Sequence, residues 1–97
     1  MVTYMMLMKL TDQGLKDIKN APKRIDDGIK SFEKIGGKLL GFYAAAGEYD
    51  YVSIGEAPTD EAAVTFALGL SAMGYVKTSS VKLFGVNQFK EMVNKLS

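Results

Sequence analysis

Residues 2–10 read Val-Thr-Tyr-Met-Met-Leu-Met-Lys-Leu, a segment in which both alternations are apolar. Val2, Tyr4, Met6, Met8 and Leu10 fall on one face of a strand, and Met5 and Leu7, between Thr3 and Lys9, fall on the other. A strand with this pattern is covered on both faces. The chain has 97 residues, enough for one domain with a thin core. Helices in so short a chain can cover only one face of a sheet, so the second apolar face predicts a partner subunit.

The periodicities that follow place six main elements around that strand. Thr11 suits the N-cap of a short turn through Leu15 and Ile18, and Pro22 suits the first position of a new helix. Ile25, Ile29, Phe32 and Ile35 then recur at helical spacing until Gly36-Gly37 stops the helix. Residues 38–46 read as a strand, with Leu40, Phe42 and Ala44 on one face and Leu39, Gly41, Tyr43 and Ala45 on the other. A hairpin turn at 46–48 leads into a strand over 49–56, where Val52 and Ile54 share a face with Asp50 and alternate with Tyr51, Ser53 and Gly55. Thr59 or Asp60 caps a second helix, whose apolar stripe of Ala63, Phe66, Ala67, Leu70 and Met73 ends at Gly74. A fourth strand over 75–84 and a helix over 87–96, with Phe89, Met92, Val93 and Leu96 facing inward, close the chain.

Strand, helix, strand, strand, helix, strand is the order of the α+β, ferredoxin-like βαββαβ unit, here with a C-terminal helix. It predicts a four-stranded antiparallel sheet with both main helices on one side. The opposite side is too apolar for open solvent. Two such sheets pairing face to face would bury it as a dimeric α+β barrel.

Composition narrows the chemistry. The chain has no cysteine and no histidine, which removes disulfides, thiolate chemistry and the commonest general base and metal ligand. A net charge of +1 supplies no field for nucleic acid or an acidic membrane, and no basic stripe surrounds Phe42, Tyr43, Tyr49 and Tyr51. No apolar run is long enough to span a bilayer, and residues 1–10 lack the features of a signal peptide. The expectation is a cytoplasmic protein whose residues 1–97 form a single domain, without metal or a recognisable cofactor site.

Two groups of residues carry candidate chemistry. Asp50 stands between Tyr49 and Tyr51 at the mouth of an apolar strand, and a short hairpin would bring Tyr43 and Tyr49 to the same end of the sheet. There Asp50 could serve as a general base or orient a polar ligand, or it could accept hydrogen bonds that fix the turn. Lys9, Lys16, Lys19, Lys23 and Arg24 gather around the helix start at Pro22, either as an anion site or as a solvated face. No Gly-rich phosphate loop accompanies them. The methionines of the first strand could line an adaptable cavity or simply fill core and interface.

The segment Gly47-Glu48-Tyr49-Asp50 resembles the Gly-x-Tyr-Asp signature of the GYD family. Further matches are Thr3-Tyr4, Thr11-Asp12-Gln13-Gly14, Ala21-Pro22-Lys23-Arg24, Tyr43, Ala57-Pro58 and Gly74, so the resemblance covers nearly the whole chain. Ala21 departs from the hydroxyl residue that relatives often carry before the proline. The resemblance implies a ferredoxin-like, oligomeric barrel similar to the stress-responsive barrel proteins and the small barrel monooxygenases, and it implies no activity. The expected role is small-molecule binding or structural interaction. The alternative is a cofactor-independent monooxygenase or isomerase acting on a small aromatic or enolisable substrate, with Asp50 as the catalytic candidate. Tyr4, Lys9, Arg24, Tyr43, Tyr49 and Asp50 are the candidate ligand-binding residues. Expected partners are the chain itself, as a homodimer or larger even homo-oligomer, and a small apolar or aromatic ligand.

Overall fold

In the computed structural model, which describes residues 1–96, the elements run β1 (Val2–Leu10), α1 (Asp12–Lys16), a 3₁₀ turn (Ile18–Asn20), α2 (Ala21–Lys34), β2 (Lys38–Ala44), β3 (Tyr51–Ala57), α3 (Asp60–Ala72), β4 (Val76–Leu83) and α4 (Val86–Asn94). The four strands form one antiparallel sheet in the order β2-β3-β1-β4. The doubly apolar segment is thus an inner strand, hydrogen-bonded on both sides. This is the ferredoxin-like arrangement expected from the element order.

Local chemistry explains where the helices begin and end. Thr11 caps α1: its Oγ1 accepts the Gly14 N–H at 3.1 Å and donates to the Gly74 carbonyl, while the Thr11 N–H reaches the Tyr75 carbonyl at 3.1 Å. The start of α1 is thereby stapled to the start of β4. A β-carbon on Gly14 would run into that same Tyr75 carbonyl, so only glycine fits there. Pro22 lies in the first turn of α2, and Thr59 Oγ1 caps α3 through the Ala62 N–H at 3.1 Å. Gly36 and Gly74, at φ +88° and +87°, take the left-handed conformation that ends α2 and α3.

Helices α2 and α3 lie on the sheet face that carries Tyr4, Met6, Met8, Tyr51, Ser53 and Ala57. Met8, Ala21, Ala57, Ala63 and Ala67 are buried in this layer. The Phe32 ring sits over Gly37 and Gly55 and meets Phe66 at a centroid distance of 5.0 Å. The other sheet face is built by Met5, Leu7, Val52, Ile54, Tyr43, Val81 and Leu83, in rows fixed by the strand register. Among the described residues, no helix packs on that face.

The fold departs from the sequence expectations in three places. Strand β2 has an irregularity between Leu39 and Gly41, so Leu39 and Phe42 both face the helices while Leu40 is exposed; strict alternation had put Leu40 with Phe42. A bulge adds one residue and inverts the facing of everything before it. Strands β2 and β3 stop at Ala44 and start at Tyr51, leaving residues 45–50 as a wider connection in place of the tight turn at 46–48. Finally, α4 does not turn its apolar stripe inward. It makes no substantial contact with any other element, and Phe89 is 59% exposed, with Met92, Val93 and Leu96 exposed beside it. An amphipathic period specifies which side of a helix seeks burial, and the single chain supplies no surface to receive this one.

Candidate functional site

Asp50 lies just outside β3, where its backbone and side chain continue the sheet. Its N–H donates to the Met8 carbonyl at 2.8 Å, its carbonyl accepts the Ala45 N–H at 2.8 Å, and its Oδ2 accepts the Leu10 N–H at 2.8 Å. The carboxylate thus takes the place of a ladder carbonyl for the last residue of β1. It does not line the cavity between sheet and helices.

The other predicted residues divide among separate places. Lys9 stays with the hairpin, its ammonium 5.4 Å from the Tyr49 ring centroid and 3.5 Å from Glu48. Tyr43 pairs with Val52 on the open face and is 60% exposed, so it does not converge on Asp50 as a pocket wall. Of the basic group near Pro22, Lys23 pairs with Asp27 at 2.9 Å and Arg24 turns toward the core, while Lys16 and Lys19 remain exposed.

Tyr4 and Arg24 both line the cavity, at different ends of it. At the start of β1, the Tyr4 hydroxyl donates to Asp60 Oδ1 at 3.1 Å, and the Lys82 ammonium donates to Asp60 Oδ2 at 2.8 Å. The hydrogen bond from Lys82 holds the Asp60 carboxyl below the usual carboxylate range, and the hydrogen bond to Asp60 raises the Lys82 ammonium. Desolvation, followed by the bond to Asp60, raises the Tyr4 phenol.

Near the start of α2, Arg24 Nη1 donates to the Asp17 carbonyl at 3.0 Å and to Asp17 Oδ2 at 2.7 Å. Its Cζ stacks 4.2 Å from the Tyr75 ring centroid. The cavity that Arg24 borders has a volume of about 140 Å³ and an almost wholly apolar wall. Asp17, Tyr75, Lys82 and the cavity-facing Gly28 were not among the candidate site residues read from the sequence, and Asp60 was read there only as a possible helix cap. Gly28 alone had a local signal, since it occupies a position of the α2 apolar stripe. Among the described residues, no group of three or more acidic side chains is gathered that could hold a metal ion, and no helix is long and apolar enough to cross a membrane.

The GYD domain model matches residues 4–93. The chain belongs to the GYD family. The segment Gly47 to Asp50 lies in the connection that carries the Asp50–Leu10 bond. The chain is also similar to the glutamine synthetase and cystathionine beta-lyase binding protein of Thermus thermophilus. Identity is 31% over 87 residues, covering 89% of this chain and 92% of the relative. No solved structure matches the chain significantly.

Proposed function

We propose that this GYD-family protein is a binding module that self-associates through the open face of its sheet and attaches to an enzyme subunit through apolar surface left outside that contact. The open sheet face carries the proposal. Leu7, Val52 and Tyr43 form one cross-strand row, and Met5, Ile54 and Val81 form the next. A contiguous apolar patch of this kind marks an interaction surface on a small chain. A second copy offers the same patch, and a twofold pairing of identical sheets is self-complementary.

Two further surfaces are available to a different partner. Helix α3 leaves Val64 and Leu68 exposed on its outer side, and α4 presents its stripe of Phe89, Met92 and Val93. The relative named for binding glutamine synthetase and cystathionine beta-lyase makes enzymes of those two kinds the first partners to test. The rival reading, a cofactor-independent enzyme, relied on Asp50 as its base. That carboxylate is bonded to the Leu10 amide and lies off the cavity, so no observation favours it.

Native mass spectrometry of the wild-type protein and of Val52→Glu tests self-association. The wild type should be a dimer or larger even assembly and the variant a folded monomer; a wild-type monomer at micromolar concentration overturns the sheet pairing. Immobilised wild-type protein should retain a glutamine synthetase or a cystathionine beta-lyase from its own organism. Failure to bind either at micromolar concentration overturns the enzyme partner.

A further inference from the structure

Two lysines stand side by side on the open face of the sheet. Lys9 of β1 and Lys77 of β4 are direct register partners, one row beyond Leu7 and Ser79. Both point away from the helices, because their neighbours Met8 and Val76 line the cavity and the Thr78 hydroxyl meets Ser71 of α3. Like charges directly opposite each other on an antiparallel pair destabilise it. Lys9 has a counter-charge in Glu48 at 3.5 Å, whereas no ion pair among the described residues includes Lys77. Glu48 is itself well exposed, so this end of the face has a carboxylate on its hairpin side and an unmatched ammonium on its β4 side.

The opposite end of the face is arranged differently. There Lys38 of β2 and Glu56 of β3 are register partners, followed across the sheet by Thr3 and Leu83. Two copies pairing by these faces in aligned packing have two choices of twofold axis. An axis across the strands sets each end row over the other. Glu56 then falls opposite the hairpin that carries Glu48 and Asp50, and Lys77 falls on Leu83. An axis along the strands sets each row over its own counterpart with the strand order reversed. Leu7 then meets Val52, Tyr43 falls opposite the small Ser79, and Lys77 falls opposite the hairpin with Glu48. The middle rows are apolar for either axis, so the charged rows decide: like charges set against each other across an interface cost more than a rim ion pair gains.

We propose that the second copy is seated with its twofold axis along the strands and that Lys77 pairs with Glu48 of the partner subunit, twice by symmetry; this rests on the sheet-face self-association proposed above. Glu48 then accepts from its own Lys9 and from the partner's Lys77, and the Lys9–Lys77 row gains a counter-charge that the single chain does not supply. Sheets stacked about 10 Å apart leave side chains of this length within reach of each other. The pair adds little affinity. It selects the orientation, and it restricts pairing to chains that carry the lysine and the carboxylate at these places.

The test mixes two full-length single variants, Lys77→Glu and Glu48→Lys, and reads dimer composition by native mass spectrometry. Both positions are exposed in the single chain, so neither change threatens the fold. In either homodimer both contacts are like-charged, and in the mixed dimer both are complementary. A mixture of Lys38→Glu with Glu56→Lys carries the same net charges and serves as the control. Those two positions face Leu83 and Thr3 of the partner subunit, so the control should assort nearly at random. The first mixture should favour the heterodimer by about tenfold over the control, and raised salt should erase that preference. The orientation is overturned by random assortment of Lys77→Glu with Glu48→Lys while the wild type remains dimeric, or by an equal preference in the control mixture. A monomeric wild type overturns the sheet pairing itself, and the orientation with it.

Discussion

The Asp50 carboxylate accepts the backbone N–H of Leu10 at 2.8 Å, joining the signature turn to the end of β1 across 40 residues of chain. Removing the acceptor strands a part-buried amide. Asp50→Ala should therefore lower unfolding stability by about 1–2 kcal/mol, which corresponds to roughly 4–16 °C in Tm for a domain of this size. Asp50→Asn retains an acceptor oxygen and should lose less. Equal melting temperatures for wild type and Asp50→Ala in calorimetry would contradict the bond.

Gly14 and Gly28 should respond in opposite directions to the same change. At Gly14 a methyl group meets the Tyr75 carbonyl, which already receives the Thr11 N–H, so Gly14→Ala should destabilise by about 1–3 kcal/mol. At Gly28 the methyl group enters open space in mid-helix, and Gly28→Ala should stabilise by about 0.5–1 kcal/mol. Urea denaturation of the two variants beside wild type gives both signs in one experiment.

The Tyr4–Asp60–Lys82 group carries the pH dependence at the other end of β1. Asp60 is depressed below the ordinary value of 3.8, chiefly by the Lys82 hydrogen bond. A depressed carboxyl contributes stability that is fully present above its unfolded pKa and is lost as pH falls from 3.8 through the lower folded value. Lys82 is raised above 10.5, so its contribution is present below that value and disappears as pH climbs through the raised one. An NMR titration of the Asp60 side chain should give a midpoint below 3.8, and Lys82→Met should move it upward. A wild-type midpoint that does not change in Lys82→Met would refute the coupling.

Phe89 is well exposed on a helix that touches little of its own chain. In the Val52→Glu background, where the proposed sheet pairing is broken, Phe89→Ser should change stability by no more than about 0.5 kcal/mol, as expected for a surface position. A loss above about 2 kcal/mol there would show that α4 folds back onto its own subunit.

The order of elements was legible because it is written in local periods. Residues 2–10 carry two apolar alternations, Ile25, Ile29 and Phe32 recur with a helical repeat, and Thr11, Thr59, Gly36 and Gly74 mark helix ends through chemistry confined to a turn. Strand facing was legible only where alternation is unbroken. In β3 and β4 it holds, whereas in β2 the irregularity beside Leu40 reversed it, and nothing in Lys38-Leu39-Leu40-Gly41 specifies an inserted residue. The stripe on α4 was equally clear in the sequence, but a stripe records a need for burial and does not say which molecule meets it.

By itself, the sequence determined the βαββαβ order, the helix caps and the apolar character of both faces of β1, since each depends on residues a few positions apart. Only the tertiary structure decided that Asp50 bonds Leu10, that Arg24 is held between Asp17 and Tyr75, and that the gap at Gly28 opens into a cavity. These relationships join residues on different elements. Their distances follow from how the sheet and helices pack, and local propensity carries no record of that packing.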